Sequence, residues 1–349
     1  MKTSRRFTRT ERAASCGARL GLLALPLATT LFAAGAAHAA VVGEVIAVYD
    51  VWNARRAVMS ASNGGSFQSL PCRGGDLSHN GSPRYFVGSV AGTDWLPDKP
   101  EPMHNSVLVA SDEDCAETLV IFDSPSMRFS DMPRWSHAGS RVAVYAESWD
   151  LVDGVLVESG IYVADVTRDG MGRPVGITGL HLAIAAPGEI LISWSGDGQR
   201  IAYVAAAPNG KGGLQGDIWV HDLASSTSIN ATNSTDFNED HPSFSPVDDR
   251  LAFIRMVAVR GTYRYDIFTQ PASGGTVTQV TSKGTTGAPQ NLFPCFSPDG
   301  QYLSFVSGSG STAPILEFDV FRIKADGSGK ATNLTGRRAG NFRIPAWRR

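Results

Sequence analysis

The sequence predicts an all-β fold, a six-bladed β-propeller whose closing blade is shared by the N- and C-terminal strands. Three observations lead there. A motif of apolar anchor, tight turn and second strand recurs along the chain; its copies are spaced near fifty residues; and the last copy lacks a partner strand that the N-terminal segment has to spare. An all-β period of that length marks a propeller or a solenoid. Joining the two chain ends completes a ring, which also removes the open sheet edges that an array would expose.

The clearest copy is Phe296-Ser297-Pro298-Asp299-Gly300, leading to Leu303-Ser304-Phe305-Val306. Proline presets φ at the second turn position, aspartate hydrogen-bonds the backbone nearby, and glycine accepts the left-handed geometry that reverses the chain. Trp194-Ser195-Gly196-Asp197-Gly198 and Phe244-Ser245-Pro246 repeat it, and Trp135-Ser136-His137-Ala138-Gly139 and Leu77-Ser78-His79-Asn80-Gly81 are looser copies. The anchors Leu77, Trp135, Trp194, Phe244, Phe296 and Trp347 are 58, 59, 50, 52 and 51 residues apart. Trp347 stands almost at the end of the chain, and Ile46-Ala47-Val48-Tyr49 reads as the second strand it needs.

The repeat resembles the WD40-like (PD40) repeats of the TolB family of six-bladed β-propellers, whose signature is roughly P-x-W-S-P-D-G-x-x-I-A-F. The resemblance covers nearly all of the chain after the leader. Val247-Asp248 stands in place of the Asp-Gly of the turn, Ala138 in place of its aspartate, and Tyr85 where the other copies carry Ala or Ser. Family members of the TolB type carry an additional α/β domain before the propeller. Here a propeller strand begins a few residues after the leader, so membership in the Tol envelope system does not follow.

Residues 1–39 read as a signal peptide: Lys2, Arg5, Arg6, Arg9, Arg12 and Arg19 precede an apolar run from Leu20 to Ala36, and Ala37-His38-Ala39 is a small-x-small cleavage site. Glycine and alanine dilute that run, which favours export over anchoring. Ser4-Arg5-Arg6 leaves the twin-arginine and general routes both open. The expected location is therefore periplasmic or secreted, with no membrane span after cleavage, and residues 40–349 form the propeller.

The leader holds six of the 31 basic and one of the 33 acidic residues, leaving 25 against 32, a formal −7. That balance argues against a nucleic-acid binder, which needs a basic surface. Cys72, Cys115 and Cys295 follow the leader. Their places in the repeat keep them apart, so all three are expected to be unbridged and mostly buried.

In chain order, Glu44 to Tyr49, Ala57 to Ala61 and Phe67 to Leu70 are strands of the closing blade, with Asn63-Gly64-Gly65 as a turn. Blade one uses Leu77, Arg84 to Gly88, Ser106 to Ala110 and Glu117 to Phe122, with an insertion at Ala91 to His104. Blade two runs from Pro133, with an inserted loop at Glu147 to Ser159, a third strand at Ile161-Tyr162-Val163 and a fourth at Val175 to Thr178. Blades three to five share Asp217-Ile218-Trp219, Asp266-Ile267-Phe268 and Asp319-Val320-Phe321; each aspartate is expected to cap backbone at the strand entry. Asn230-Ala231-Thr232, Asn233-Ser234-Thr235 and Asn333-Leu334-Thr335 match a glycosylation sequon, a reading that a bacterial-type leader disfavours.

In four-stranded blades the loops from second to third strand emerge with the blade-to-blade connections, opposite the tight turns. The long loops here belong to the first set, which makes that face the candidate binding surface. Trp52, Trp95, Trp149 and Tyr263 would lie on its outer part. Residues four before each anchor would ring the channel mouth: Arg73, Asp131, Ile190, Asp240, Leu292 and Arg343, with Glu189, Glu239 and His241 beside them.

Charges of both signs there suit a protein segment of the periplasm or envelope, or a small polar ligand. Glu239-Asp240-His241 carries metal-ligand chemistry, but adjacent strand residues alternate in direction and cannot converge on one ion, so no metal or cofactor is expected. No Gly-x-Ser-x-Gly elbow is present. The expected function is non-catalytic binding at the channel mouth. The alternative is a propeller lyase or hydrolase acting on an acidic sugar through His241, Arg73 and Arg343.

Overall fold

The computed structural model describes residues 44–50, 55–60, 68–70, 76–77, 85–90, 107–112, 117–130, 132–186, 191–259, 262–282, 290–308, 318–336 and 343–348. All belong to one compact unit, Val41–Arg349. The described elements are all strands. β1 (Glu44–Asp50), β2 (Arg55–Ser60) and β3 (Gln68–Leu70) open the chain. β4 (Asp76–Leu77), β5 (Tyr85–Val90), β6 (Val107–Asp112) and β7 (Thr118–Asp123) form the next sheet. β8 (Met127–Phe129) and β9 (Arg134–Trp135) are two halves of one inner strand, paired to β10 (Arg141–Trp149), which continues to β11 (Leu156–Arg168) and β12 (Pro174–Ala185).

β13 (Ile192–Trp194), β14 (Arg200–Pro208), β15 (Leu214–Asp222) and β16 (Thr227–Asn230) repeat the plan. So do β17 (Glu239–Phe244), β18 (Arg250–Val259), β19 (Thr262–Pro271) and β20 (Thr278–Gln279), then β21 (Gln290–Phe296), β22 (Tyr302–Gly308), β23 (Phe318–Lys324) and β24 (Thr332–Asn333). The last strand, β25 (Arg343–Arg348), pairs antiparallel with β1, placing Val45 opposite Trp347 and Ile46 opposite Ala346. Among the described residues the strands fall into five sheets, one of them eight-stranded because a single parallel bridge between Tyr265 and Gln290 joins β19 to β21. Inner-strand contacts run from β4 to β9, β13, β17, β21 and β25, and from β25 back to β4.

The core is divided among the gaps between units. One cluster joins Tyr85 and Leu108 to Phe129 and Trp135, the next joins Tyr145 and Ile161 to Trp194 and Ile201, and a further one joins Val306 and Phe318 to Trp347. Sheets lying between two of these clusters are therefore apolar on both faces, and Ala143, Ala202 and Ala252 are fully buried where sheets approach. The anchors Trp135, Trp194, Phe244, Phe296 and Trp347 are buried as expected. The indole N–H of Trp135 donates to the Tyr85 carbonyl, that of Trp194 to Arg134 and that of Trp347 to Cys295, at 3.0, 3.1 and 3.0 Å. A phenylalanine anchor has no such donor. The backbone N–H groups of Phe244 and Phe296 instead donate to the hydroxyls of Ser193 and Ser243 in the preceding unit.

The turns behave as the motif requires. Gly139, Gly198 and Gly300 have φ of 67°, 67° and 68°, and each backbone N–H donates to the serine carbonyl three residues back. Asp299 accepts from the Gln301 N–H, and the Ser297 hydroxyl accepts from Tyr302 N–H, a function of the motif serine that spacing alone does not reveal. Gly196 replaces the usual proline because a Cβ there would meet the Pro246 carbonyl oxygen at 2.1 Å. Arginines at the start of second strands bridge adjacent turns: Arg141 and Arg250 donate to the carbonyls of Gly198 and Gly300, and Arg200 pairs with Asp249 at 2.7 Å.

Three sequence expectations need correction. The Glu147 to Ser159 stretch is a hairpin extension, not a loop, with β10 paired to β11 as far as Trp149 and Leu156. The fourth strand of that unit is the twelve-residue β12 rather than Val175 to Thr178. Asp217, Asp266 and Asp319 accept from side chains, not from backbone at the strand entry. Asn230 donates to Asp217, Gln279 to Asp266 and Asn333 to Asp319, at 2.7, 3.0 and 2.9 Å. The threonine two residues after each amide caps the backbone instead, Thr232, Thr281 and Thr335 accepting from the N–H of Ile218, Ile267 and Val320. Two of the apparent sequons are therefore copies of a structural Asn-x-Thr latch. Buried carboxylates and N–H groups both demand partners, and one short segment satisfies both.

Candidate functional site

The hairpins β10–β11, β14–β15 and β18–β19 reach well past the inner strands, so the face opposite the tight turns carries the relief. A cavity of about 100 Å³ lies among the inner strands, with Leu191, Pro242, Phe293, Pro294 and Pro345 beside His241. Arg134, His137, Ser193 and Ser243 line the same cavity. His241 and Phe293 occupy the same place in β17 and β21, each directly before a proline and each at φ 54°. The inner strands change register there, and the two rings meet edge to face at 4.2 Å.

Asp240 accepts from the His241 N–H at 2.6 Å and lies 3.5 Å from its Nδ1. Burial pushes the Asp240 carboxyl upward, but the His241 side chain and N–H outweigh it and hold the group below its ordinary range. Glu239 points the other way. Its side chain is 0% exposed and accepts from Arg255 Nε at 2.8 Å. Burial raises the Glu239 carboxyl above its ordinary range, with Arg255 opposing. The strand alternation thus assigns Glu239 to the interior, a correction to its expected place at the rim.

Arg73, Asp131, Glu189, Ile190, Trp52 and Trp95 lie outside the described residues, as do Cys72 and Cys115. Arg343 begins β25, where only the backbone is described. Leu292 lies on β21, and Cys295 is half-buried in the same strand. Trp149, at the end of β10, is half-buried and donates its indole N–H to Glu147 at 3.2 Å. Tyr263 is 62% exposed on β19.

Tyr263 forms one wall of the larger concavity on this face, a groove of about 570 Å³ between the β14–β15 and β18–β19 hairpins. Leu214, Phe237, Met256 and Val257 supply further apolar wall, and Lys211 and Asp236 stand 4.0 Å apart on its lining. Asn238, directly before β17, lines the groove, and His241, within β17, lines the smaller cavity. Sequence reasoning selected Tyr263 but missed Leu214 and Met256, because hairpin residues beyond the sheet obey no repeat. The Asn209-Gly210-Lys211-Gly212-Gly213 turn was the available signal for a protruding tip.

Sheet order, divided core and the two-ended unit define a β-propeller. One solved structure narrows the type to a TolB-like fold. TolB from Acinetobacter baumannii matches with a TM-score of 0.57 at 15% identity, covering 87% of this chain and 66% of that one. The chain thus spans just under two thirds of that protein. The β-propeller domain of the Trilobed protease from Pyrococcus furiosus matches at 0.45 and 9% identity, covering 82% and 88%. An oligogalacturonate lyase in complex with manganese matches at 0.45 and 9%, covering 81% and 72%. No protein-family model matches the sequence, and a search of curated proteins finds no match. Among the described residues no helix is long and apolar enough to cross a membrane.

Proposed function

We propose that this chain is an exported, non-catalytic β-propeller that holds an extended protein segment on its hairpin face, along the groove beside the channel mouth. The observation carrying the reading is the groove itself, about 570 Å³, with Leu214 of one hairpin and Met256, Val257 and Tyr263 of the next on its walls. A peptide-sized cleft with apolar walls and a few polar groups is the usual form of such a site. Leu214, Met256 and Tyr263 would receive apolar side chains. Lys211 and Asp236 are 79% and 63% exposed, so their mutual contact is weak and each is available to an opposite charge on the ligand.

The channel mouth would take the end of the segment, with Asp240 and His241 as its described polar groups and Arg73, Asp131, Glu189 and Arg343 as the proposed remainder. Trp52, Trp95 and Trp149 would extend the surface outward. Residues 1–39 would direct export to the periplasm or beyond, and residues 40–349 would be the functional propeller.

A photo-crosslinking amino acid at position 263, compared with one at Val247, tests this in the producing cell. Val247 is 56% exposed but sits in a tight turn on the opposite face. Discrete protein adducts from position 263 alone support the reading, whereas equal adducts from both positions, or none from 263, overturn it.

A further inference from the structure

Five of the twelve large hydrophobic side chains exposed among the described residues fall within seven positions of one hairpin. Leu151, Val152, Val155, Leu156 and Val157 are 45%, 91%, 59%, 42% and 64% exposed. Scattered exposed aliphatics are ordinary, but a contiguous group marks a contact surface. Here β10 and β11 form a ribbon beyond the sheet. The last pairing of β12 is at Gly160, and that of β8 is at Ser148. Val157 is the extra residue where the register shifts between the Ser148–Glu158 and Trp149–Leu156 pairs, and both it and Leu156 meet water.

The tip is a built turn. Asp150 Oδ1 accepts from the N–H groups of Val152 and Asp153 at 2.7 and 3.1 Å, and the Gly154 N–H donates to the Asp150 carbonyl with φ at 62°. An ordered display of aliphatic groups lowers the ordering cost of binding.

Charge selects the occupant. No lysine, arginine or histidine lies between Arg141 and Arg168, while Glu147, Asp150, Asp153 and Glu158 flank the patch along the chain; Arg128 lies opposite Glu147 on β8, its Nη1 donating to the Pro125 and Met127 carbonyls. Anionic lipid would be repelled by that rim. A second copy meeting tip to tip would set two acidic rims against each other. We propose that the β10–β11 tip docks a partner protein presenting an aliphatic surface flanked by lysines or arginines. The docking site is separate from the groove and does not rest on the reading of it.

The test uses the full chain and fluorescein-labelled peptides of alternating Val-Lys or Val-Glu, read by anisotropy. The Val-Lys peptide is expected to bind about tenfold more tightly than Val-Glu at low salt. The Val152→Ser/Val157→Ser double variant should weaken Val-Lys binding about tenfold, and Asp153→Lys should narrow the preference between peptides. Both changes are at solvent-facing tip positions, and an unchanged urea midpoint verifies folding. Absent binding of the Val-Lys peptide, or equal binding by the serine variant, overturns the proposal. So does hairpin-dependent sedimentation with phosphatidylcholine or phosphatidylglycerol vesicles, or a dimer that the serine variant abolishes.

Discussion

Replacing Arg255 with methionine isolates the buried charge pair beneath the groove. The wild-type guanidinium lies 4.3 Å from the Phe237 ring centroid, 4.9 Å from Phe268 and 5.8 Å from Phe253, with Glu239 as its anion. Methionine keeps most of the apolar stem in place. What it removes is the charge, leaving a fully buried carboxylate without its cation. Such a removal costs about 3–5 kcal/mol, and lost cation–ring attraction adds about 1 kcal/mol, so a loss on the order of 4 kcal/mol is expected near neutral pH.

The pH dependence follows from the direction of the Glu239 shift. A carboxyl raised in the folded state binds its proton more tightly there than in the unfolded chain. Its stabilising effect is complete below the ordinary glutamate range and is lost as pH rises through the raised value. Without Arg255 the rise is larger. The cost of the substitution should therefore shrink toward about pH 4.5 and grow toward neutrality. Urea unfolding followed by tryptophan fluorescence measures it, provided the m-value is unchanged. The Glu239→Gln/Arg255→Met double variant should recover more than about 2 kcal/mol. A loss below about 1 kcal/mol, or one equal at acid and neutral pH, would refute the reasoning.

Other substitutions probe the repeat. Thr335→Val breaks bonds to Asp319 and to the Val320 N–H and should cost about 1.5–3 kcal/mol, while Thr335→Ser should restore most of it in the same unfolding assay. Gly196→Ala forces a Cβ against the Pro246 carbonyl and should destabilise by about 1–3 kcal/mol, whereas Gly212→Ala, with open space around its Cβ, should show only the milder strain of its positive φ. Trp347→Phe removes the indole bond to the Cys295 carbonyl, which still accepts from the Ser304 hydroxyl, and should cost about 0.5–1.5 kcal/mol, and Trp347→Ala about 3–5 kcal/mol. A thermal melt unchanged by Trp347→Ala would contradict its place in the core.

The fold was legible because the repeat is written in local chemistry. Ser297-Pro298-Asp299-Gly300 states its own turn, and the hydrogen bonds of Asp299 and Gly300 are those its residues demand. The latch was half legible. Asp217, Asp266 and Asp319 stood out as repeated, but their amide and threonine partners lie 13 to 16 residues away, beyond what turn chemistry specifies. The site was less legible still. Alternation along β17 should have separated Glu239 from Asp240, yet which of the two faces the interior depends on Arg255 arriving from the neighbouring strand.

The sequence by itself determined the β class and the turn chemistry, which follow from residue types within a few positions of one another, and the period and the join of Trp347 to the first strand, which follow from the spacing of those copies along the chain. The tertiary structure alone decided that the β10–β11 stretch stands out as a paired ribbon, that Glu239 turns inward and that a groove opens beside Tyr263. Those outcomes depend on how far each hairpin outreaches its neighbours and which side chains meet across a gap between sheets. No repeat encodes that distance, because it is set by packing between segments about fifty residues apart.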